Sequence, residues 1–279
     1  MIPAAFDYLA PANLTEALAA LRNNPEAKVM AGGQSLLSLM KLRAASPPMV
    51  VDLGRIRGLS YIREEKDHLA IGALTTHTEI ERSALIRQKA RVLGEAAEAI
   101  GDLQVRNRGT IGGSLAHADP AADYPAAALA LEATIVAQGP GGTRTIAADQ
   151  FFTGLFSTAL QPNEILTEVR IPTTPAISGS AYKKMKHPAS GFAVVGAAAV
   201  LREGGQLRLA FTGAAGHAFR ARGVEAALAG RPLDETAVRA AMEQAPQGVD
   251  LLEDLFADKI YRAQLVRVYG RRAVLAAAQ

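Results

Sequence analysis

Two glycine-bearing stretches constrain this chain more than anything else in it. Residues 106–125 read RNRGTIGGSLAHADPAADYP, with Gly109, Gly112 and Gly113 set among Thr110, Ile111 and Ser114, then Asp119-Pro120 and Asp123. Glycine removes the Cβ that would hold a ligand off the main chain, and free N–H groups in a turn form an anion-binding nest. A shorter stretch, Ala31-Gly32-Gly33-Gln34-Ser35-Leu36, has the same character. Either one alone is also compatible with a purely structural turn. Together they suggest one diphosphate gripped from both sides.

The better-known dinucleotide and metal sites do not fit. A Rossmann site needs G-x-G-x-x-G directly after a strand and an acidic residue further on. Gly32-Gly33 lacks the later glycines, and Gly109 follows polar, basic residues. There is no G-x-x-x-x-G-K-[ST] and no G-x-S-x-G. His68, His77, His117, His187 and His217 stand apart without i,i+4 partners, so no histidine metal site is expected. With no Cys in the chain, thiolate catalysis, zinc–thiolate sites and a cluster held by this chain alone are excluded. No catalytic residue and no metal ligand is assigned.

The net charge of +3 is scattered, and the basic C-terminal helix lacks the aromatic sheet of a nucleic-acid binder. The N-terminal residues lack a charged n-region and a continuous apolar h-region, and the longest apolar run, 192–201, is too short to span a bilayer. A cytoplasmic protein without membrane span is expected.

Along the chain, Asn13 with Glu16 reads as a capping box opening a helix that ends at Asn23-Asn24-Pro25. Residues 28–31 read as a short buried strand, 36–42 as a helix and 49–53 as a strand, a β-α-β-type unit. Strands follow at 60–63 and 68–72, and helices at 78–83 and 89–100. Pro125 sits in the first turn of an Ala/Leu helix. Strands at 133–138 and 143–146 form a hairpin, and 164–171 is a strand. Residues 172–180 read as a linker. Three antiparallel strands (181–186, 193–201, 206–212) and three helices (220–229, 235–244, 262–278) complete the chain.

Four segments, AGGQSLL at 31–37, VRNRGTIGGSLAHADPAADYP at 105–125, PNEILTEVRIP at 162–172 and AYKKMKHPASGFAVVGAAAVL at 181–201, resemble the FAD-binding medium subunit of the molybdenum hydroxylases. That is the family of carbon monoxide dehydrogenase and xanthine dehydrogenase, and the likeness runs over nearly the whole chain. It implies an α+β fold: a two-subdomain FAD-binding domain of the vanillyl-alcohol-oxidase (PCMH) type at 1–175, with subdomains about 1–57 and 58–175. A C-terminal domain at 176–279 would carry a three-stranded antiparallel sheet with a helical bundle.

The resemblance implies non-covalent FAD. Val29, Met30, Ala31, Gly32, Gly33, Gln34, Ser35 and Leu36 would wrap its diphosphate, with Gly109, Thr110, Ile111, Gly112, Gly113 and Ser114 opposite. Asp119 and Asp123 would meet the adenosine half, although Asp119 before Pro120 also reads as a helix N-cap. Ile100, Gly101, Val105, Ile165 and Leu166 would line the pocket, which ordinary core packing also permits. Lys184 would place a cation near the flavin, favouring its reduced, anionic form; an exposed strand lysine is the plain alternative. Three positions depart from the family: Gln34 replaces a common histidine, His117 a common asparagine, and Phe192 a tyrosine against the flavin, keeping its stacking face.

Implied partners are an iron–sulfur small subunit with [2Fe–2S] clusters, a molybdopterin-bearing large subunit, and an external electron acceptor. A stand-alone flavin oxidase or reductase and a non-catalytic dinucleotide-binding module are the other readings.

Overall fold

A computed structural model describes residues 2–279. The first helix, Leu14–Asn23, begins as its cap requires: Glu16 N donates to Asn13 Oδ1 at 2.9 Å, and Ala12 N donates back to Glu16 Oε2 at 2.9 Å. It packs Ala17, Ala20 and Leu21 onto a parallel three-stranded sheet ordered Asp7–Leu9, Met49–Asp52, Lys28–Met30. Lys28–Met30 is therefore an edge strand, exposed or half-buried, rather than the buried strand expected. Asp7–Leu9 carries no alternating pattern, because all three residues are exposed on the opposite edge, and its three residues alone do not announce a strand.

A five-stranded antiparallel sheet follows, ordered Ile62–Glu64, His68–Gly72, Ile165–Pro172, Thr134–Gly139, Gly142–Ala147. Its buried face meets the helices Arg91–Glu98 and Tyr124–Ala130 in one core containing Leu69, Ile71, Val92, Leu93, Leu129 and Ile135. The helical stretch expected at 89–100 is broken at Ala90, which ends Ala84–Lys89 and precedes Arg91–Glu98.

The C-terminal sheet is antiparallel, ordered Ile177–Lys186, Ala193–Arg202, Gln206–Thr212, Phe219–Arg220. The sheet has a fourth strand beyond the three expected, and its two residues are too few for any periodicity. Ala193–Arg202 alternates between two cores: Ala198 and Val200 join the first, Ala197 and Ala199 the second. A strand covered on both faces reads as a near-continuous apolar run, and this one is uncharged from Ala193 to Leu201. The helix Tyr124–Ala130 lies on one face and the long helix Lys259–Ala277 on the other.

The linker is shorter than its composition suggests, since pairing resumes at Ile177. Arg202, 1% exposed, donates to the carbonyls of Pro172 (3.3 Å), Pro175 (2.6 Å) and Leu131 (3.0 Å). A buried guanidinium with that many acceptors holds the connection down instead of leaving it loose.

Candidate functional site

The first glycine stretch leaves the edge strand Lys28–Met30 and enters the helix Leu36–Lys41. Gly33 adopts φ +75°, a conformation in which a side chain is strained. Leu37 N bonds to Gly33 O and Leu39 N to Ser35 O, which closes the helical turn. The amides of residues 32–36, however, donate to no acceptor among the described residues. They form a row of unpaired donors in a turn, as an anion or phosphate would require. Val29, Met30, Ala31, Gly32, Ser35 and Leu36 are half-buried, Gln34 is exposed, and Gly33 is buried against Leu37.

The second stretch is built differently. The short helix Leu103–Arg106, capped by Asp102, precedes Gly109, and Ile111–His117 is itself a helix with Thr110 as N-cap. The glycine turn expected here is thus partly helical: Gly112 and Gly113 lie in its first turn. Its amides are occupied. Gly109 N donates to Val105 O (2.7 Å), Ile111 N to Thr75 O (3.1 Å), Gly112 N to Ala73 O (2.9 Å), Gly113 N to Thr110 Oγ1 (3.1 Å) and Ser114 N to Thr110 O (3.0 Å). The only amide of 109–114 without an acceptor among the described residues is that of Thr110.

The glycines also serve chain-to-chain contact. A Cβ on Gly32 would lie 1.9 Å from Arg108 O, and one on Gly112 would lie 2.6 Å from Ala73 Cβ. The two stretches therefore touch through Gly32 and Arg108-Gly109, and the second backs the first.

Asp119 is half-buried and accepts from Ala121 N at 2.9 Å, a local turn rather than a helix cap; the cap position of Tyr124–Ala130 belongs to Asp123. The resemblance implies Asp123 at the adenosine half and Lys184 near the flavin. The structure instead bonds them to each other. Lys184 Nζ lies 2.8 Å from Asp123 Oδ1, and both side chains are 4% exposed. Nζ also donates to Ala99 O (2.8 Å), and Tyr182 Oη donates to Asp123 Oδ1 (2.6 Å). Burial pushes the Asp123 carboxyl up and the Lys184 ammonium down, and their contact opposes both shifts. This buried cluster pins the strand Ile177–Lys186 to the start of the helix Tyr124–Ala130. Tyr182 and Lys184 both donate to Asp123 Oδ1, and Lys184 Nζ also lies 3.0 Å from Oδ2.

Lys184 also tethers Ala99, just before Ile100 and Gly101 (φ +47°). The hairpin turn 187–192 comes down on that spot, with a Cβ on Gly191 placed 3.6 Å from Gly101 Cα. Phe192 projects from this turn, 45% exposed. Ile100 and Val105 are half-buried, whereas Ile165 and Leu166 are core residues at 2% and 5% exposure.

Sequence reasoning missed His77. It is 4% exposed, and its backbone N donates to Gly109 O at 3.0 Å. Burial, with the nearby Arg106 charge, drives its pKa down to about 4, so the ring is neutral at pH 7. A lone histidine at the start of a helix carries no signal; its neighbour Gly109 arrives from a distant part of the chain.

An open amide turn at a sheet edge, backed by a second glycine segment, suits the phosphates of a dinucleotide and owes nothing to a Rossmann motif. The family described as "FAD binding domain in molybdopterin dehydrogenase" matches residues 4–174, and "CO dehydrogenase flavoprotein C-terminal domain" matches 180–277. The carbon monoxide dehydrogenase medium chain of Hydrogenophaga pseudoflava is 41% identical, over 99% of this chain and 98% of its own. Subunit alpha of the 6-hydroxypseudooxynicotine dehydrogenase complex of Paenarthrobacter nicotinovorans is 37% identical, over 98% and 95%. Carbon monoxide dehydrogenase from Hydrogenophaga pseudoflava superposes with a TM-score of 0.95 at 42% identity, over 99% of this chain and 98% of that one. The chain belongs to the FAD-binding medium subunits of the molybdenum hydroxylases, and is the flavoprotein part of a multi-subunit oxidoreductase. Among the described residues no helix is long and apolar enough to cross a membrane.

Proposed function

We propose that this subunit relays electrons from [2Fe–2S] clusters on a small partner, through non-covalent FAD, to an external acceptor. A large molybdopterin-bearing partner would oxidise the substrate, so substrate choice lies outside this chain. Its relatives support that division, being named for substrates as unlike as carbon monoxide and 6-hydroxypseudooxynicotine. The observation that carries the reading is the row of unpaired amides at 32–36 held against Arg108-Gly109. Those donors suit the diphosphate, with Val29, Met30 and Ala31 leading into them. Segment 109–114 contributes the amide of Thr110 and the backing surface, and Asp119 keeps one oxygen for the adenosine half. Ile100, Gly101, Val105 and Phe192 would bound the ring end of the site, where apolar surface excludes water. FAD, when bound, supplies exchange between one-electron clusters and the acceptor. Residues 1–175 would carry the cofactor, and 176–279 would close it from one side. A cytoplasmic complex is proposed.

Anaerobic titration tests the relay. Flavin in the isolated chain is expected to bleach with dithionite and to stay oxidised with purines, aldehydes or carbon monoxide. Bleaching by the physiological substrate is expected only with both partners present. Direct reduction of the isolated chain by an organic substrate would mean a stand-alone oxidoreductase.

A further inference from the structure

His77 is bound into the second glycine segment by its backbone, yet its ring has no protein partner. Nδ1 is fully sealed and unpaired, and so is the neighbouring Tyr124 hydroxyl. The two rings meet edge-on, with centroids 5.1 Å apart and planes at 68°. Nε2 also has no hydrogen-bond partner among the described residues, but it is not sealed and carries part of the ring's remaining exposure. It lies beside Gly109, where a Cβ would come within 2.5 Å of it. Gly109 Cα in turn lies 2.8 Å from where a Gly32 Cβ would be. The imidazole edge therefore stands one residue away from the turn with the free amides.

The sealed nitrogen decides where the proton sits. A neutral imidazole has one N–H and one lone pair. Orphaned buried N–H groups are rarer than orphaned acceptors, so the lone pair belongs on Nδ1 and the proton on Nε2. This leaves a fixed, uncharged donor beside the two segments, on a ring that packing with Tyr124 and Gly109 holds in place.

We propose that His77 is a further cofactor-binding residue, donating from Nε2–H to an acceptor oxygen of the dinucleotide that lies across the two glycine segments. This rests on the FAD-binding reading above. It adds a contact from the first residue of the helix His77–Arg82, outside both glycine stretches.

Nitrogen-15 NMR of histidine-labelled full-length chain, or of the complex it purifies with, reads the tautomer directly. His77 is expected as the Nε2–H form from pH 6 to 8, with its Nε2 resonance moving when FAD is added. An Nδ1–H tautomer, or an Nε2 signal unmoved while flavin binds, would overturn the proposal. Fluorescence titration with FAD gives a second reading. His77→Leu should weaken binding about tenfold, the equivalent of one lost hydrogen bond. His77→Gln, which restores an N–H at similar reach, should recover most of that loss. Equal affinity in wild type and His77→Leu would also defeat the assignment. Wild-type protein that takes up no flavin, alone or in its complex, would instead remove the underlying reading.

Discussion

The two glycine stretches look alike in sequence and do different work. In 32–36 the amides are left open and the glycine at 33 supplies a left-handed turn. In 109–114 nearly every amide is bonded to Ala73, Thr75, Val105 or Thr110, and the glycines let backbone approach backbone. One presents open donors and the other buttresses it. A glycine count cannot separate them, because the difference lies in where the N–H groups point and who accepts from them.

The contact between the two is the place to break this comparison hardest. Gly32→Val drives a side chain into Arg108 O, backbone against backbone, with no flexible atom to yield. We expect a loss of more than about 3 kcal/mol of stability and of all bound flavin, read by urea denaturation and by absorbance of the purified protein. A stable, yellow variant would show that the stretches do not support each other.

Acid should loosen the buttress. The folded His77 takes a proton only near pH 4, whereas an unfolded one does so near 6.5. Stability contributed by the neutral ring is thus complete above about pH 6.5 and is lost as pH falls, by about 1.4 kcal/mol per unit down to pH 4. Between pH 7 and 5 the wild type should lose about 2 kcal/mol more than His77→Gln in urea denaturation. Parallel losses in both proteins would show that the ring is not held neutral.

The smallest effects sharpen the contrast most. Gly33→Ala strains a φ of +75° and should tilt the open amides, weakening FAD binding about tenfold for about 1 kcal/mol of stability. Gly113→Ala gains helix propensity and crowds only Thr110 Oγ1, at 2.9 Å, and Ala31 Cβ, at 3.6 Å. Its stability should stay within about 1 kcal/mol of wild type, with affinity nearly unchanged. Equal loss of affinity in both variants would mean that both stretches grip the ligand alike.

What the sequence made legible is local. The Asn13–Glu16 cap and the apolar run 192–201 are set by neighbours within a few residues. What it hid is non-local. Lys184 and Asp123 stand 61 positions apart, and only the fold reveals that the two charges pair with each other. The edge strand Asp7–Leu9 is recognised by pairing with Met49–Val51 and by nothing in its own three residues. The amides of Gly112 and Ile111 find acceptors on a loop that sequence alone gives no reason to place beside them.

The sheet clasped between Tyr124–Ala130 and Lys259–Ala277 has a consequence for how such a chain can be inherited. Two family patterns meet between residues 174 and 180, so the chain looks like two modules joined end to end. Yet the first core takes Tyr182, Ala198, Val200 and Ala210 from the second module. A break at the join would bare the helix Tyr124–Ala130 along its apolar side. Recombination can therefore move this subunit only whole, and new partners must be met by changing its surface.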